Sequence, residues 1–150
     1  MHRRQTVPRQ WLVVTSDNAE LAGAVRRLKR GSGVLLLAPL GRRQMTWLRQ
    51  LALHRGLTVM MEQPGKAARV HNVPELRAAL LRRTPLILLS PIYATRTHPE
   101  WQPIPRMRAA TLARLAGRRL VALGGMNARK FARVEDLGFQ AWAGITAFRT

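Results

Sequence analysis

Short, continuous apolar runs, each followed by an arginine-rich stretch with helical spacing, restrict the fold more than any other feature of the sequence. Runs at 11–15, 34–38, 57–61, 86–90, 120–123 and 141–145 read as strands. A further short strand at 68–71 lies within the ambiguous stretch 64–72, so the count is six, or seven with that one. The runs do not alternate apolar with polar residues, which indicates a sheet covered on both faces. Helical patterns occupy 17–29 with Asp17 or Asn18 as cap, 44–54 with Gly56 as C-cap glycine, and 74–83 with Pro74 in the first turn. Two more occupy 107–116 and 127–137. Strand followed by helix, repeated in this way, specifies right-handed parallel units. An eight-unit barrel typically needs ~250 residues. With 150, this chain is short for a full one. Residues 1–10 read as a basic N-terminal tail and 11–150 as one domain.

Composition removes several classes of function. There is no cysteine, which excludes disulfides, thiolate nucleophiles and cysteine-ligated zinc. The longest apolar run, 34–40, falls far short of the ~20 residues of a membrane span, so no membrane is expected as a partner. The first ten residues lack the apolar core of a signal peptide, which makes the cytoplasm the expected compartment. Twenty-six basic residues against seven acidic ones give +19, and only Lys29, Lys66 and Lys130 are lysines. Such a charge attracts polyanions, either nucleic acid or a phosphorylated small molecule. The arginines come as scattered pairs and not as a stripe, which also fits plain solvated helix faces. The tryptophans show no aromatic–basic alternation of the kind that binds single strands. Trp11, Trp47 and Trp142 read as core, and Trp101 as a residue that could shield a ligand.

In parallel α/β folds the site lies at the C-terminal ends of the strands. Three segments there carry chemistry. The loop after 86–90 gathers the hydroxyls of Ser90, Thr95 and Thr97 with Arg96 and His98, a set suited to an anionic ligand. The plain alternative is a surface loop whose threonines cap turns. After 120–123 come Gly124 and Gly125 at a helix start, with Asn127 as N-cap. Glycines there allow close backbone approach to a ligand, or serve turn geometry only. After 141–145 come Ile145 and Thr146; the last two loops of such barrels frequently form a phosphate site. Elsewhere Glu62 directly follows a strand, His71 reads as a strand-end histidine, and His2 and His54 as surface residues.

These three segments, in their order and spacing, resemble the thiamine phosphate synthase/TenI family over 86–148. That family is a (β/α) barrel that joins a pyrimidine diphosphate to a thiazole phosphate and releases pyrophosphate; TenI relatives tautomerise the thiazole. The resemblance implies a parallel (β/α) TIM-barrel-like fold for 11–150, truncated by about one strand–helix unit. The resemblance implies that Ser90, Thr95, Thr97, Gly124, Gly125, Ile145 and Thr146 hold the thiazole phosphate, with Arg96 and His98 catalytic. His98 stands where the family has a diphosphate-contacting lysine. The family's diphosphate-gripping run appears as Pro39-Leu-Gly-Arg-Arg43, so Arg42 and Arg43 are its counterparts. Its magnesium aspartate appears as Glu62, and Mg2+ is the cofactor expected if the chain is catalytic. Pro91 occupies the position of the TenI catalytic histidine.

Three functions remain open on the sequence. The first is a thiamine phosphate synthase-like transferase, and the second a non-catalytic, regulatory binder of the phosphate ligand. The third is a basic nucleic-acid-binding module. A homodimer that covers the gap in the barrel is a further expectation, since an open barrel exposes strand edges.

Overall fold

A computed structural model describes residues 7–16 and 19–148. It contains strands β1 (Gln10–Val14), β2 (Gly33–Leu36), β3 (Thr58–Met61), β4 (Ala67–Val70), β5 (Leu86–Leu89), β6 (Leu120–Leu123) and β7 (Ala141–Gly144). Helices α1 (Leu21–Arg26), α2 (Arg42–Arg55), α3 (Val73–Leu81), α4 (Arg106–Leu115) and α5 (Ala128–Val134) intervene, with a 3-10 turn at Glu135–Leu137. All ladders are parallel, in the order β3-β2-β1-β7-β6-β5-β4, so the sheet curls into a nearly closed barrel whose edges are β3 and β4. The ambiguous stretch does hold a strand, which makes seven. The place of the missing material is now visible. β3 reaches β4 through residues 62–66 without a helix, whereas a parallel crossover normally takes a dozen residues or more. As a result β3 is only half-covered, and Leu53 of α2 and Met61 stand exposed beside it.

Side chains alternate across each strand. Leu12, Val14, Val34, Leu36, Ile87, Leu89, Leu120, Ala122 and Trp142 face outward to the helices and form the larger core. Trp11, Val13, Leu35, Ala67, Leu86, Leu88, Val121, Leu123, Ala141 and Ala143 fill the barrel interior. Small residues there offset one large one: Trp11 pairs in register with Gly33, and its ring occupies the space a side chain at 33 would need.

Two helices are shorter than the sequence reading: the one read over 17–29 spans Leu21–Arg26, and the one read over 127–137 is α-helical over Ala128–Val134 before the 3-10 turn. α1 begins at Leu21 with Glu20 as N-cap and no side-chain cap bond, and Asp17 and Asn18 lie outside the described residues. The other signals hold. Gly56 ends α2 at φ 65°, in the left-handed region that favours glycine. Asn72 and Asn127 cap α3 and α5, their side chains accepting from the backbone N–H of Glu75 and Lys130 at 2.9 Å. The C-terminal end of α1 is closed from outside by Arg55. Its guanidinium donates to the carbonyls of Val25 at 3.0 Å, Arg26 at 3.2 Å and Leu28. Replacing Arg55 with alanine should therefore cost about 2 kcal/mol, read as a fall in Tm of about 4–8 °C. No described helix is long and apolar enough to cross a membrane.

Candidate functional site

At the C-terminal ends of the strands lies a cavity of about 300 Å3. It is lined by Ser90, Thr95, Arg96, Thr97 and His98 from the loop after β5, and by Gly124 and Gly125 after β6. Ile145 and Thr146 after β7 complete the set, so the three sequence segments converge on one cavity. Arg42 and Arg43 do not join them. They open α2 directly behind its N-cap Gly41, and both side chains are exposed.

Local hydrogen bonds explain the shape of the rim. The N–H groups of Ile92 and Tyr93 donate to the carbonyls of Leu123 and Gly124 at 2.9 and 3.1 Å, tying the β5 loop to the β6 loop. The glycine pair is required by that junction. At Gly124 (φ 105°) an added Cβ would lie 2.8 Å from Pro91 Cα, and at Gly125 (φ 55°) 2.2 Å from the Ala94 carbonyl oxygen. Close approach is thus made to the neighbouring loop, a geometric role of the kind the sequence left open. Thr95 also has a local task, its hydroxyl accepting from the Thr97 N–H at 3.2 Å.

Two cations in the lining escaped the sequence reading. Lys130, in the first turn of α5, donates to the Gly125 carbonyl at 3.1 Å and lies 5.2 Å from the centre of the Tyr93 ring. Arg69 of β4 reaches the cavity because it shares the inward face with Ala67, two residues earlier. Its Nε and Nη2 donate to the two carboxylate oxygens of Glu62 at 2.7 and 2.9 Å. The cavity lining therefore carries Arg69, Arg96, Lys130 and His98, and among the described residues no carboxylate.

This donor set does not fit magnesium, which takes one or two carboxylates together with water and substrate oxygens. Both Glu62 oxygens are engaged by Arg69, and the described residues contain no group of three or more metal-ligating side chains.

An aromatic wall closes one side. Trp101 stacks on His98 with ring centres 3.8 Å apart and planes within 8°. It also meets the edge of His71 at 5.4 Å. His71 Nδ1 contacts Glu75 at 3.0 Å, and hydrogen bonding from His71 holds the Glu75 carboxyl below its ordinary range. His98 Nδ1 contacts the exposed Glu100 at 3.3 Å. His71 and Trp101, 30 residues apart in sequence, meet only through the fold.

No family model and no curated protein matches the sequence. Among solved structures, the fold is similar to a thiamine phosphate pyrophosphorylase from Pyrococcus furiosus. The two share 14% sequence identity with a TM-score of 0.75, over 97% of this chain and 89% of that one. At that identity the likeness establishes the barrel fold.

Proposed function

We propose that this chain binds a small phosphate ester of the thiazole phosphate class in the cavity at the strand ends. The observation that carries this reading is the convergence of three loops and four basic side chains on one cavity whose described lining has no carboxylate. Hydroxyls, backbone amides and cations that approach from several elements suit a compact dianion, and the surrounding positive charge speeds its arrival. Likeness of fold to a thiamine phosphate pyrophosphorylase and resemblance of the three loops support the thiazole phosphate as ligand. Binding without turnover is favoured over synthase activity. Arg42 and Arg43, the residues expected to grip a diphosphate, lie outside the cavity, and Glu62 is committed to Arg69.

Calorimetry with thiazole phosphate tests the reading. Lys130→Met removes a cavity cation and should weaken binding about tenfold or more, the worth of a hydrogen bond to a charged group. Lys29→Met removes the same charge from the opposite end of the strands, just before β2, and should leave affinity unchanged. Equal losses in the two variants would reduce the effect to net charge and sink the site. Thiamine phosphate formed by the purified protein from the thiazole phosphate and the pyrimidine diphosphate would overturn binding without turnover in favour of the transferase.

A further inference from the structure

We infer that the cavity takes its anionic ligand without a divalent metal ion, with the guanidinium of Arg69, fixed by Glu62, as the built-in cation. The inference rests on the phosphate-binding reading and adds how the negative charge is met. Arginine carries five N–H donors in a planar fork, and the bidentate pair with Glu62 uses two of them. Three are left for a ligand. The carboxylate behind the fork sets its plane, so little side-chain entropy remains to be lost when an anion docks. Arg69 and Glu62 are about one-third and one-quarter exposed, so the pair keeps an open side. Arg69 is part of the cavity lining, which it shares with Arg96, His98 and Lys130.

A divalent ion has no place in this arrangement. It would need the Glu62 oxygens, and taking them would release a guanidinium beside a second cation. Repulsion between ion and guanidinium opposes that exchange. The short β3–β4 connection is what makes the pairing possible. With only residues 62–66 between the strands, and Gln63 bridged to Ala67, Glu62 and Arg69 face each other across a turn.

Titration of the full chain with inorganic phosphate, once in EDTA and once in excess magnesium chloride, separates the possibilities. The expected result is saturable binding in EDTA, equal or weaker in magnesium because the ion competes for the ligand's oxygens. Binding about tenfold or more tighter in magnesium would overturn metal-free recognition while leaving an anion site in place. No binding under either condition would remove the phosphate reading itself, and this inference with it. Arg69→Met should lose about tenfold in EDTA. Arg69→Lys keeps the charge but cannot hold Glu62 and a ligand in one fork, so it should lose several-fold. Wild-type affinity in either variant, once it is shown folded by circular dichroism, would overturn the role of Arg69.

Discussion

Gly33→Ala is expected to destabilise the protein by about 2–4 kcal/mol, a fall in Tm of roughly 5–15 °C, although it adds a single methyl group. The Cβ would lie 2.2 Å from the Trp11 ring, inside the barrel, where both residues are buried and in register. Trp11 cannot retreat. Val13, Leu35, Leu86 and the small residues Ala67, Ala141 and Ala143 fill the same interior. A barrel that lacks one strand unit still needs a dense centre, and one large ring against a bare backbone supplies it. The pair should therefore be coupled. In a Trp11→Leu background, itself destabilised by lost packing, Gly33→Ala should be neutral within about 1 kcal/mol. Additive losses in thermal or urea unfolding would show that the Trp11–Gly33 contact does not set the packing.

Gly125→Ala is the second substitution with a large expected effect, about 3 kcal/mol or more in stability. Two costs combine: a left-handed backbone at φ 55°, and a Cβ 2.2 Å from the Ala94 carbonyl oxygen. Neither partner is a flexible side-chain end that could swing away. The β5 and β6 loops would have to part, breaking the bonds from Ile92 and Tyr93 to Leu123 and Gly124. Unchanged Tm would show that the junction is looser than its geometry. Substitutions here probe the junction as well as the ligand, so Lys130 is the cleaner probe of binding.

Parallel units were legible because buried strands leave unbroken apolar runs. β6 spans 120–123 as read, and Gly56 and Asn127 act as caps because their chemistry is local. The three loops that meet at the cavity were legible for a similar reason: each directly follows such a run. Arg69 was not. It needs β4 to be recognised as a strand, its period-two alternation to be anchored by Ala67, and Glu62 to be brought across the turn. Lys130 was hidden by its ordinary place on a helix and becomes part of the site because α5 starts at the cavity. Arg42 and Arg43 open α2, are exposed and stand outside the cavity lining, a placement that depends on where the helix begins. Trp11 against Gly33 depends on strand register, which no local pattern encodes.

The most direct measurement is an amide chemical-shift titration of the labelled protein with inorganic phosphate and then thiazole phosphate. Saturable shifts are expected at Thr95, Thr97, Gly124, Gly125, Ile145 and Thr146, with the surfaces of α2 and α4 unmoved. Shifts that follow the exposed arginines of α2 and α4, and leave those six amides in place, would contradict a phosphate site at the strand ends.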